Sequence, residues 1–159
     1  MFSVFSVRSV VFSMNFEATV LKQLTLMSRL IAMPPTELLT VFLMLVAAHS
    51  FTVGILLVIQ PPVLMALMGF GVIEQPFFPC QGGVFHVIMA IAYVYGAFDV
   101  RKNRNMIIYA IIVKMAAVGF LFSYFYSIER LMVVFLSGVV DLGMGVIIWG
   151  LLVRITNDE

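Results

Sequence analysis

Four ionisable side chains stand inside runs that are otherwise apolar: His49 in "VAAHSFT", His86 in "GGVFHVIMA", Lys114 in "IIVKMAA" and Asp141 in "GVVDLGM". An ammonium and a carboxylate can neutralise one another, and an imidazole can change charge near neutral pH. Grouped in one place they have the chemistry of a proton relay, a quinone or anion site, or an ion pathway. The same residues also have a purely structural use. A salt bridge can fix which helix faces which, and an interior histidine can simply be hydrogen-bonded.

Depth along the chain argues for grouping. At about 1.5 Å rise per residue, measured from Leu38, Asp99, Asn105 and Val153, the four residues lie roughly 16, 20, 14 and 18 Å in. That is one layer. Small residues flank three of them at helical spacing: Gly82, Gly83 and Ala90 with Tyr93 about His86, Ala110 and Ala117 with Leu121 about Lys114, and Ser137, Gly138 and Gly145 about Asp141. Small residues let helices approach, so these faces are expected to point inward, with Lys114 paired to Asp141 and His49, His86 and Tyr93 completing a polar centre. An unpaired Lys or Asp at the centre of a span costs about 2.5–3.5 kcal/mol, which favours pairing.

The elements that would position this layer are membrane spans. Of 159 residues, 63% are hydrophobic and only 11% charged, and the mean hydropathy is +1.14. Such a composition lies far from that of a soluble domain. A span needs about 20 apolar residues, and four such runs are present: 38–59, 82–98, 106–126 and 131–153. The expected fold is therefore an all-α, integral membrane four-helix bundle without a globular head, closed by a short polar tail at 154–159.

Seven of the nine Lys and Arg fall in the N-terminal segment, in the loop "DVRKNRN" or just after the last span. The positive-inside rule puts both termini on the cytoplasmic side or its organellar equivalent; a bacterial inner membrane and an organellar membrane are not distinguished. Trp149 near that boundary and Tyr124 and Tyr126 near the other fit an aromatic belt.

The first 37 residues are read as an extension. Between Phe16 and Ala32, Val20, Leu21, Leu24, Met27 and Ile31 recur at helical spacing with Lys22, Thr25 and Arg29 on another face, as in an amphipathic helix at the interface. Ahead of it, "MFSVFSVRSVVFSMN" is Ser-rich with no acid before Glu17, the composition of an organellar transit peptide. The true start stays open between Met1, Met14 and Met33. The connector "QPPVLMALMGFGVIEQPFFPC" is almost without polar character. It is either a lipid-wetted link or a lid over a cavity between helices, built on Gly69, Phe70, Gly71 and Glu74, with "GFG" allowing a reversal.

Other chemistry is constrained. A single cysteine, Cys80, excludes an internal disulfide and a thiolate cluster. His49 and His86 form the one pair able to clasp a haem, a weak basis for one. No metal site is expected either: two His and an Asp beside Lys114 would set a positive charge against a metal ion. No GxSxG, HExxH, CxxC or phosphate loop occurs, so no catalytic residue is assigned. A net charge of +1 gives no sign of a nucleic-acid partner.

The order "GILLVIQPPVLMALMGFG", "FFPCQGGVFHVIMAIAYVYGAFDVRKNR" and "GVVDLGMGVIIWGLL" resembles the DoxX-like group of small four-helix membrane proteins over about 38–153. One branch of that group is similar to the membrane subunits of quinone-linked sulfur oxidation. The resemblance implies a four-span bundle and a quinone-linked setting, and it assigns no residue. Size favours a non-catalytic accessory or scaffold subunit, among other membrane subunits or as a homodimer. The titratable layer points instead to a small proton-coupled transporter or a quinone-binding protein.

Overall fold

The computed structural model describes residues 16, 17, 19–24, 28, 33–71 and 73–158. The chain divides into two units, 1–34 and 35–159. In the first, the described residues 16, 17, 19–24 and 28 are helical, and Phe16, Val20, Leu21 and Leu24 expose apolar side chains. Met27, Ile31, Thr25 and Arg29 of the expected amphipathic pattern, and the whole of 1–15, lie outside the described residues.

The second unit is all-α. Its helices are α1 Pro35–Ile59, the short α2 Pro62–Leu67, α3 Phe77–Phe98, α4 Arg104–Ser127 and α5 Met132–Asn157. The four long ones have 25, 22, 24 and 26 residues and are apolar enough to cross a membrane. At about 1.5 Å per residue each exceeds the roughly 30 Å hydrocarbon thickness. Fewer than a third of the residues in each apolar window are buried inside the protein. The outer surface is thus apolar and suited to lipid.

The helices outrun the apolar runs that announce them, for local reasons. Pro35 is the first residue of α1, where its missing N–H costs nothing, and Glu37 complements the helix dipole in the first turn. In α3 the first intrahelical bond is Cys80 N to Pro76 O at 3.0 Å, so Pro79 sits just ahead of the first donor the helix requires. Residues 154–157 of the segment expected as a polar tail form the last turn of α5, with Arg154 favourably placed at the negative end.

Neighbouring spans run antiparallel. α1 packs most closely on α3 and α4 on α5, and the two pairs join through α1 with α5 and, least extensively, through α3 with α4. The apolar core occupies the half nearer the basic 99–103 loop, where Leu39, Leu43, Tyr93, Ile107, Ile148 and Leu152 meet. In the other half the pairs have their own seams. Gly54 and Gly83 bring the backbones of α1 and α3 together, each standing where a Cβ would meet the other's carbonyl oxygen, at 2.8 and 2.6 Å. Phe135 of α5 packs with tilted rings against Phe122 and Phe125 of α4, with ring centroids 5.6 and 5.1 Å apart.

Two short devices shape the connector. Gln60 ends α1 with φ +50°, and its amide Nε2 donates to Leu57 O at 3.0 Å and reaches Cys80 Sγ at 3.4 Å, tying α1 to the start of α3. α2 closes in a Schellman turn: Gly69, at φ +85°, donates to Ala66 O at 3.1 Å and Phe70 to Met65 O at 3.0 Å. The reversal is therefore carried by Gly69 alone among the three residues "GFG".

Candidate functional site

The polar layer is built at the meeting of the two helix pairs. Lys114 of α4, 4% exposed, and Asp141 of α5, 7% exposed, form an ion pair from Nζ to Oδ1. Gly145 makes room for it: a Cβ there would lie 3.5 Å from that of Lys114 and 2.3 Å from the Met115 methyl. An ammonium has three donors, and a single carboxylate oxygen takes one of them.

Tyr93 joins from α3. It is 2% exposed, and Lys114 Nζ lies 5.7 Å from its ring centroid, within the range of a cation–π contact. Counted along α3, Tyr93 is about two turns nearer the basic loop than His86. It still meets the ammonium because side chains lean toward the N-terminus of their helix, which for Lys114 is the basic end.

His86, half-buried, is held by α1. Ser50 Oγ donates to the His86 backbone carbonyl at 3.1 Å and lies 3.2 Å from His86 Nδ1. A hydroxyl has one proton, so with it on the carbonyl the ring proton belongs on Nδ1 and Nε2 is left as an acceptor. These groups border a cavity of about 150 Å³ at the α3–α4 seam, lined by Ser50, His86, Tyr93, Lys114 and Asp141 and by apolar side chains that include the exposed Phe85.

His86, Lys114, Asp141 and Tyr93 are thus brought together. His49 is not: it is exposed and does not line the cavity. The imidazoles of His49 and His86 are therefore not opposed across it, and the place expected for His49 is taken by its neighbour Ser50. The signal for Ser50 was present, since Ala47 and Gly54 flank it at helical spacing, the pattern that marks the inward faces of the other spans. Ser137, expected on the inner face beside Asp141, is exposed.

The residues considered as a lid do not reach this cavity. Gly69, Gly71 and Glu74 are exposed, and Phe70 and Gly71 border a separate space of about 420 Å³ beneath their own loop, with Met65 and Ile73. Gly69 approaches Leu131 at the start of α5 instead. Among the described residues, no three His, Cys, Asp or Glu are grouped so as to hold a metal ion.

Fold and site together define a small multi-pass helical membrane protein with a buried ion pair beside a cavity that is partly open at the α3–α4 seam. Comparison of the chain with protein-family models, with curated proteins and with solved structures finds no match.

Proposed function

We propose that this protein is a non-catalytic accessory subunit of a larger membrane assembly, and that the cavity at the α3–α4 seam receives the polar head of a lipid-dissolved molecule, a quinone by preference. The carrying observation is a cavity that combines a buried Lys–Asp pair with an exposed aromatic at its rim, on the seam where the helices pack least. A lipophilic molecule can enter such a seam from the bilayer. Inside, the ammonium has donors left for a carbonyl oxygen, while the remaining lining is apolar and suits a ring. The resemblance in layout to the DoxX-like group supports the quinone-linked setting. The gathering of Lys and Arg in the 99–105 loop, the N-terminal segment and Arg154 supports a cytoplasmic or equivalent side for both termini.

Two measurements test this reading. Extraction from the native membrane in the mildest effective detergent, followed by mass and composition, should give a large assembly containing redox subunits; a particle of one or two copies overturns the subunit role. For the purified chain, a short-chain quinone should raise the unfolding temperature and should fail to do so in Tyr93→Phe combined with Lys114→Met and Asp141→Leu. An equal rise in that variant overturns the cavity as the quinone site.

A second reading, a small proton-coupled carrier, is favoured by the placing of His86 and the Lys114–Asp141 pair around one cavity. Proteoliposomes carrying an interior pH dye separate the two. Proton entry abolished by His86→Ala in a folded protein supports the carrier, and the absence of proton entry removes it.

A further inference from the structure

A second groove lies at the basic end of the bundle, on the outer side of α4 and α5, with a volume of about 450 Å³. Arg104 and Asn157 stand at its mouth, and Ile112, Trp149 and Val153 line it. Its size is that of a small-molecule site. Its polarity is divided along its length: the polar residues are the terminal ones of the two helices, and the apolar ones lie one to two turns deeper into the spans. That division matches a phospholipid at an interface.

The sign of the charge follows from what surrounds Arg104. Among the described residues no carboxylate pairs with it. It is the first residue of α4, so the free backbone N–H groups of that helix end add positive potential. Arg101, Lys102 and Arg154 lie on the same end against Glu37, Asp99 and Asp158. Asp99 is engaged in holding the loop, its Oδ1 accepting from Lys102 N at 3.0 Å, while Asn103 Nδ2 donates to Tyr95 O at 2.8 Å. The loop that presents Arg104 is thus fixed by its own polar side chains. Thr156 spends its hydroxyl proton on Leu152 O at 2.9 Å, which leaves the Arg104 guanidinium and the Asn157 amide as the donors at the mouth. Trp149, 60% exposed, stands where an indole lies against the upper part of an acyl chain.

We propose that this groove holds one anionic phospholipid, its phosphate on Arg104 and Asn157 and one acyl chain along Ile112, Trp149 and Val153. The lipid joins α4 to α5 on the face away from the polar cavity.

The test uses the full chain in nanodiscs of equal phosphatidylglycerol and phosphatidylcholine, with retained lipid read by native mass spectrometry. One phosphatidylglycerol per chain is expected, preferred over phosphatidylcholine by about fivefold, the effect of one basic residue at an anionic surface. Arg104→Gln should bring the ratio near one, while Lys102→Gln, outside the groove, should leave it unchanged. Val153→Trp, which fills the groove and keeps Arg104, should remove the retained lipid and serves as the deciding variant should Arg104→Gln fail to fold. Equal retention of the two lipids, or an unchanged preference in Arg104→Gln or Val153→Trp, overturns the proposal. Glycerol phosphate displacing the lipid at equal concentration would also overturn it, by showing an anion site without an acyl chain.

Discussion

Ser50 Oγ is bonded to the backbone carbonyl of His86, 3.1 Å away, and lies 3.2 Å from the same residue's Nδ1. A single hydroxyl of α1, 1% exposed, therefore fixes both the backbone and the ring of the histidine on α3. It does so four residues from Gly54, where the two backbones come closest. The close approach and the hydrogen bonds support each other, because a short side chain can reach a helix carbonyl only when the helices nearly touch.

Replacing Ser50 by Ala leaves a half-buried imidazole N–H without its partner. We expect a loss of about 1–3 kcal/mol, the usual cost of orphaning a buried polar group. His49→Leu, one residue away on an exposed face, should change stability by no more than about 0.5 kcal/mol. Unfolding of both variants in a graded denaturing detergent measures the contrast. Equal losses would mean that His49 shares the interior.

The ion pair gives a sharper contrast. Lys114→Met leaves Asp141 charged and buried, and Asp141→Leu does the same to Lys114. Each should cost about 3–5 kcal/mol, whereas removing both charges together should recover most of that loss. A double variant as unstable as the worse single would show that the two are not energetic partners, and the same detergent titration reads it. The charge exchange Lys114→Asp with Asp141→Lys should likewise regain folded yield lost in either single.

These contrasts also mark how far the sequence could be read. The four spans and the inward faces of α3, α4 and α5 follow from runs of apolar residues and from small residues at helical spacing, both of which are local properties. Titratability singles out His49 over its neighbour Ser50, although Ser50 is the buried one of the two. The helix turns by about 100° per residue, so adjacent residues cannot both face the same neighbour. The connector's aim was not legible either. It depends on Gly69 at φ +85° and on the approach of that glycine to Leu131, a contact across 62 positions that no local pattern encodes.

The glycine seam can be tested by adding one carbon. A Cβ on Gly83 would meet Gly54 O at 2.6 Å, and one on Gly54 would meet Gly83 O at 2.8 Å. Backbone cannot rotate out of the way, so Gly54→Ala and Gly83→Ala should each cost about 1–3 kcal/mol by forcing α1 and α3 apart. Gly119→Ala and Gly143→Ala, which meet nothing within 4 Å, should be neutral or slightly stabilising. Loss of stability in all four would trace to glycine as such and not to the seam.

Gln60 joins two effects that can be separated. Its backbone, at φ +50°, occupies a region that costs a residue with a Cβ about 1–2 kcal/mol, and its amide reaches Leu57 O and Cys80 Sγ in compensation. Gln60→Ala keeps the strain and loses the amide, so it should be the least stable variant at this position, by about 1–2 kcal/mol. Gln60→Gly loses the same amide but releases the strain, and should lie nearer the wild type. Limited proteolysis of the 60–76 connector, read alongside global unfolding, distinguishes the contributions: faster cleavage in both variants with lower global stability only in Gln60→Ala is the expected pattern. Equal global stability in Ala and Gly would mean that the left-handed turn is not held in the folded protein, and that the amide alone anchors α1 to α3.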